Sequence, residues 1–312
     1  MVIIMCEEAK RILEDIFSDL TSNYEDNLEL LERKKEKYKD HPKYNNIVDK
    51  ILIKEKEYLT KENKEAYDTM MNTYVESINY GIGLAKEYFD KNDIDNTKKV
   101  LETLIKSFSN SYINDEYGNC VYFDNELEKE LYFKINDDYR EVIECRVNKG
   151  YVFYMYGRIL LETNKINEAL LSFDLAKTYS PFLKEAYFFK ALLLKVHQKF
   201  IEAKEEMLKA HKYIYRQIDL ADFYYFIGNY CYKFINKEYE YLLYQKSYSL
   251  SPNKELYDEL LSLKPIDRDI DFDENSFIEV CNKENIPLSY DLLLQENLEK
   301  LIEDNSELKK YL

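Results

Sequence analysis

GYVFYMYGRILLETNKINEALLSFDLAKTYSP, residues 150–181, carries two helical faces with a break between them. Phe153, Tyr156 and Leu160 fall at i, i+3 and i+7, which is one side of a helix. Thr163-Asn164-Lys165 reads as a turn. Ala169, Phe173 and Ala176 then repeat at i, i+4 and i+7, and Pro181 ends the second helix because its ring cannot continue one. Gly157 sits inside the first helix, a cost of about 1 kcal/mol against Ala, which is offset where another helix presses on it. Ala169 and Ala176 allow that close approach, and Phe173 fills the space between the pair.

The arrangement recurs 34 residues on, at Tyr187, Lys190, Ala191, Leu194, Ala203, Met207, Ala210 and Tyr215. A third copy follows after a three-residue slip, at Tyr224, Ile227, Gly228, Cys231, Glu240, Tyr244, Ser247 and Pro252. Lys190, Tyr215 and Glu240 depart from type. Leu84, Ala85, Tyr88, Thr97, Leu101 and Leu104 keep the spacing of a weaker copy upstream, with a turn at Lys91-Asn92-Asp93. The pattern resembles the tetratricopeptide repeat, with Phe153 standing where Trp is typical of that family. The resemblance implies an all-α fold, a right-handed α-α superhelix with extra helices at both ends, and hairpins split near Asn164, Gln198 and Asn236. It also implies a concave face, lined by the first helix of each pair, that binds another protein or a peptide.

Three segments are expected: residues 1–149, helical, with a degenerate repeat at 78–109; residues 150–254, three repeats; and residues 255–312, a capping helix, an acidic linker and two last helices. In the first segment, helices are expected over 7–20, 27–38, 43–63, 64–89 and 125–134. Residues 107–125 read as a long loop. Residues 138–162 read as a helix running into the first clear repeat, bending at Gly150. Terminal repeats need a polar-faced cap, and Lys254 to Leu263 supplies one with Glu255, Asp258 and Glu259. Helices over 276–284 and 290–308 close the chain.

Composition supports long helices over β architecture, since 312 residues include only 6 Gly and 5 Pro. A net charge of −16 disfavours phosphate backbones, so no nucleic-acid partner is expected. The basic run Arg33 to Lys39 is broken by Glu36 and reads as a solvated helix face. No run of about 18 apolar residues occurs, and no membrane span is expected. Cys6, Cys120, Cys145, Cys231 and Cys281 form no CxxC pair, which fits reduced thiols in a cytoplasmic protein.

Catalytic signatures are missing from the sequence. The three histidines, His41, His197 and His211, have no partner at metal spacing and read as solvated surface. No HExxH, phosphate-binding glycine loop or GxSxG is present. Gly81-Ile82-Gly83 reads as a helix-packing pair. Asp267, Asp269, Asp271, Asp273 and Glu274 lack the glycine and the twelfth-position glutamate of a calcium loop and read as a solvated linker. No enzyme activity, cofactor or metal is therefore expected. The first-helix positions Tyr154, Arg158, Phe188, Lys195, Tyr225, Asn229 and Lys233 mix aromatics with cations, the composition of an interaction hot spot. They make a scaffold or adaptor for a protein segment of acidic character the first reading. The alternative is a peptide-sensing regulator of the kind that joins an N-terminal helical module to such repeats.

Overall fold

A computed structural model describes residues 12, 15–20, 24–38, 51, 61–108, 118–136, 141–233, 235–263 and 272–312. In chain order the elements are α1 (Tyr24–Tyr38), α2 (Lys61–Asp90), α3 (Ile94–Phe108), β1 (Gly118–Val121), α4 (Glu126–Ile135) and β2 (Glu141–Glu144). They continue as α5 (Lys149–Glu162), α6 (Ile166–Tyr179), α7 (Lys184–Val196), α8 (Phe200–His211), α9 (Gln217–Ile227), α10 (Lys237–Leu250) and α11 (Lys254–Leu263). After these come α12 (Glu274–Glu284), α13 (Leu292–Asp304) and a 3-10 turn at Ser306–Tyr311. The architecture is helical, as expected, apart from one small sheet. Of the expected helix over 43–63, Ile51 is helical and residues 61–63 open α2; the rest of it, the turn at His41 and the heart of the acidic linker lie outside the described residues.

The hairpin turns are built alike. Asn92, Asn164 and Gln198 take left-handed backbone with φ of 57°, 57° and 60°. At each, the residue's N–H and the next one fold back onto the helix just ended: Asn164 to Leu161 at 2.9 Å and Lys165 to Leu160 at 2.8 Å, with Asn92/Asp93 and Gln198/Lys199 matching. Four residues beyond that, Thr97, Ala169 and Ala203 make the first bonds of the next helix, and all three side chains are fully buried. The weak upstream copy thus turns as the clear ones do. The third copy keeps the spacing but puts Ile235 at the equivalent place, and a β-branched residue resists positive φ. There the first helix ends in a π turn, Gly228–Tyr232. Asn236 caps α10 with its side chain, accepting from the Glu238 and Tyr239 N–H groups. A methyl at Gly228 would lie 3.0 Å from the Tyr244 ring and 3.3 Å from Leu243, so this glycine is where α9 and α10 meet. Gly81 is likewise pressed by Leu104, whereas a methyl at Gly83 would meet nothing within 4 Å, so only the first of that pair serves packing.

Each departure from the repeat pattern has a polar partner. Lys190 binds Asp174 at 2.6 Å and Glu206 at 3.6 Å. Glu206, 2% exposed, is also met by Lys177 and Lys209, so the buried carboxylate is compensated. The Tyr215 hydroxyl donates to Glu128 at 3.0 Å and accepts from Asn125, the cap of α4. Glu240, in place of the usual alanine, lies beside Tyr244 and within electrostatic reach of Lys233.

The chain divides into two compact units: Met1–Tyr122 with Asp138–Ala169, and Phe123–Asp137 with Leu170–Leu312. These differ from the expected division at 149 and 254, because the boundary falls inside α6 and residues 123–137 join the second unit. In the first unit, α2, α3 and α5 pack in sequence. Phe108 meets Phe153 with ring centres 6.2 Å apart, and Tyr156 donates to Glu102. In the second, α7–α8 and α9–α10 pair, α11 and α12 lie on α10, and α13 lies on α4. Leu127, Leu131 and Ile135 of α4 share a cluster with Tyr215, Leu294, Leu298 and Leu308.

Two readings need correction here. Residues 141–144 are strand, not helix, and pair in parallel with β1 from Gly118↔Glu141 to Val121↔Glu144. Helix α5 begins only after Asn148, whose side chain accepts from the Tyr151 N–H. Cys120 and Cys145, with Cα atoms 5.7 Å apart, form a disulfide, so the reading of all five thiols as reduced does not hold for this pair. Cys231 and Cys281 are free and buried.

Two predictions follow from the packing and the buried carboxylate. Ala203→Leu overpacks α7 against α8 and lowers stability by about 1–3 kcal/mol, while Gly83→Ala raises it by up to about 1 kcal/mol; urea midpoints of the two variants check both. Glu128 is pushed up from 4.5 to about 7, first by burial and then by the charge of Asp124, against hydrogen bonds from the Asp124 N–H and Tyr215. The folded chain therefore holds a proton that the unfolded chain has lost over this range. That stabilisation is complete below the lower value and fades as pH rises through the upper one. Amide exchange in α4, corrected for intrinsic rate, should lose protection between about pH 5 and about pH 8, and Glu128→Gln should flatten the profile.

Candidate functional site

The seven first-helix residues fall in different units: Tyr154 and Arg158 in the first, Phe188, Lys195, Tyr225, Asn229 and Lys233 in the second. In the first unit the Arg158 guanidinium lies over the Phe89 ring at 4.3 Å and over Tyr154 at 5.7 Å. A cation held by two aromatic faces is partly desolvated already. Tyr154 is 5% exposed, so its ring belongs to the core. Phe188, at 4% exposed, packs on Phe226 with centres 4.9 Å apart. These two aromatics are structural, and the reading of them as partner contacts is corrected. Spacing along the chain placed them on the inner side of their helices, and neighbouring rings close over that side.

Lys195, Tyr225, Asn229 and Lys233 build one network on α7, α9, the π turn and α10. Lys195 donates to the Asn229 side-chain carbonyl at 2.7 Å and lies 5.1 Å from the Tyr230 ring centre. The Asn229 amide donates to the Tyr244 hydroxyl at 3.0 Å. Tyr244, fully buried, lies beside Glu240 and stacks on Tyr225 with centres 5.0 Å apart. The Tyr225 hydroxyl donates to Glu259 of α11 at 2.9 Å. Burial, and then the charge of Lys233, lower the pKa of Lys195, with Glu240 opposing. Burial raises that of Glu240, and Lys233 opposes. Two half-buried ammonium groups thus lie within electrostatic reach of one carboxylate 2% exposed. Such a cluster can take one further anion at low electrostatic cost.

Sequence reasoning missed two polar sites. His211 is 5% exposed rather than solvated, with Nε2 2.6 Å from the Ser289 carbonyl oxygen and its ring against Phe223. Burial lowers its pKa. The partner lies 78 residues away, beyond any local signal. Tyr232, in the same π turn as Asn229, is turned to the end of α12: it bonds Glu284, which also holds Lys204. His197 is exposed, as expected. Among the described residues no group of histidine, cysteine and carboxylates is placed to hold a metal ion. Nor is any described helix long and apolar enough to cross a membrane.

Asn229→Ala should leave the Tyr244 hydroxyl and the Lys195 ammonium without their shared partner. We expect a loss of about 1–3 kcal/mol in chemical denaturation; an unchanged midpoint would mean that the network adds nothing to the fold.

No family model matches the chain, and no curated protein matches it.

Proposed function

We propose that this chain is a tetratricopeptide-type repeat protein, wound as a right-handed superhelix, that binds a segment of another protein without catalysis. The observation that carries the reading is the Lys195–Asn229–Tyr244–Glu240–Lys233 network. Lys195 and Asn229 stand one repeat apart, 34 residues, and meet through their side chains. The positions that the repeat pattern assigns to the inner face are thus brought together, with an excess of positive charge in a strongly acidic chain. An acidic side chain arriving there relieves the repulsion between Lys195 and Lys233. Tyr225, held by its stacking on Tyr244, offers a rigid surface beside it at little rotamer cost. Arg158, in the first unit, is already engaged by two aromatic rings, which makes it a weaker candidate than Lys195 and Lys233.

Fluorescently labelled peptides rich in Asp and Glu, titrated at two ionic strengths, test this. The expectation is saturable binding that weakens as salt rises, because charges at a half-exposed face are screened within about 10 Å. Lys195→Glu combined with Lys233→Glu should weaken it at least about tenfold, roughly 1.4 kcal/mol, with the unfolding midpoint retained. Equal affinity of the double variant, or no binding by any acidic peptide, would remove the reading.

A further inference from the structure

A cleft of about 680 Å³ lies between α6, α7 and α8, within the second unit. Small-molecule sites run from about 300 to about 1,000 Å³. Three lysines line it, Lys177, Lys209 and Lys212, against two carboxylates, Asp174 and Glu205. The local balance is positive in a chain of net charge −16.

The lysines are not equally engaged. Lys177 is taken up by Asp174 at 2.7 Å and by buried Glu206. Lys190 reaches the same two carboxylates, at 2.6 Å and 3.6 Å. Lys209 is thus a third cation on Glu206, 3.3 Å away, with its side chain 63% exposed. Lys212 meets no carboxylate among the described residues. Its ammonium donates to the neutral Asn136 side-chain oxygen at 2.8 Å, and the Tyr213 hydroxyl donates to that same oxygen at 3.1 Å. Asn136 is fixed there as the C-cap of α4. Two donors in the wall of the cleft therefore converge on one uncharged acceptor, and an ammonium has three N–H groups to place. The carboxyl end of α8 brings about half a negative charge here, and Glu205 is exposed, with its charge screened by water. Lys209 and Lys212 outweigh these. Beside them the wall is apolar: the Tyr187 and Tyr213 rings have centres 6.3 Å apart, and half-buried Leu208 extends the surface.

We propose that this cleft binds a small aromatic acid, a flat apolar body bearing a phosphate or a carboxylate. The anion accepts from Lys209 and Lys212, and the ring lies along Tyr213 and Leu208. A charged oxygen is a stronger acceptor for these donors than the amide of Asn136. A bare inorganic anion would leave the apolar wall unused. None of these residues belongs to the Lys195 network, so the site stands whether or not that network holds an acidic partner.

Calorimetric titration of the full chain with naphthyl phosphate, naphthoate, inorganic phosphate and naphthylmethylamine tests this. Saturable binding of at least one naphthyl acid is expected, tighter than that of inorganic phosphate or of the amine. Tighter binding of the phosphate assigns the cleft to phosphate monoesters, and tighter binding of naphthoate to carboxylic acids. Lys209→Gln combined with Lys212→Gln should keep the melting temperature, since Lys177 and Lys190 still compensate Glu206 and the new amide can still donate to Asn136. It should weaken the acid by about tenfold, the size expected for a hydrogen bond to a charged group. Lys195→Glu with Lys233→Glu should leave that binding intact. The proposal is overturned if neither acid binds saturably, if inorganic phosphate or the amine binds as tightly, if the glutamine pair changes nothing, or if the glutamate pair abolishes binding.

Discussion

A helix hairpin of fixed length closes only if one residue between its helices reverses the sense of the backbone. In this chain Asn92, Asn164 and Gln198 do so, none of them glycine. An L-residue in left-handed conformation costs roughly 1–2 kcal/mol, and that cost is met by the small buried side chain that follows four or five residues later. Thr97, Ala169 and Ala203 can be fully enclosed only because the turn delivers the second helix close to the first. Where Ile235 forbids the conformation, the chain takes another route: a π turn widens the end of the first helix, and Asn236 supplies the cap. That widened turn carries Asn229, and with it the link between Lys195 and Tyr244. The polar network therefore exists in the copy whose hairpin could not close in the ordinary way.

Buried charge follows a similar logic. Lys190, Tyr215 and Glu240 break the repeat pattern, and each break is answered at a distance: by Asp174 and Glu206, by Glu128 and Asn125, and by Tyr244. A lone substitution of this kind would leave an uncompensated group in the core, which costs several kcal/mol. The departures are thus coupled to residues elsewhere, and they tie elements that apolar packing alone would leave interchangeable. Tyr215 is the clearest case, since its hydroxyl secures the cap of a helix that precedes it by some eighty residues.

The helices from α7 to α11 were legible to within a few residues because small and large apolar side chains alternate there with helical period and the turns carry Asn or Gln. The strands were not legible. Each has four residues, and Glu141-Val-Ile-Glu144 offers too little alternation to outweigh the helical reading of its surroundings. The disulfide was hidden for a related reason, since 25 residues between two cysteines match no motif and only the strand register brings them together. For the site, spacing by one repeat found Lys195, Asn229, Lys233 and Tyr225, which do form one network. It could not tell an inner-face aromatic that meets solvent from one roofed by a neighbour, which is why Tyr154 and Phe188 were misread.

The strand–helix–strand excursion from β1 through α4 to β2 has a consequence for the order in which the protein is made. Leu127, Leu131 and Ile135 leave the ribosome well before Leu294, Leu298 and Leu308, which help to bury them. At about 5–20 residues per second the wait is of the order of ten seconds or more. Until then that helix face is covered only in part, by Tyr215 and its neighbours, while the strands on either side, once Cys145 is made, can already join. The nascent chain thus carries a sticky helix tethered at both ends. A chaperone engaging residues 123–137 during synthesis would be protecting a helix face whose last partners are still to be made.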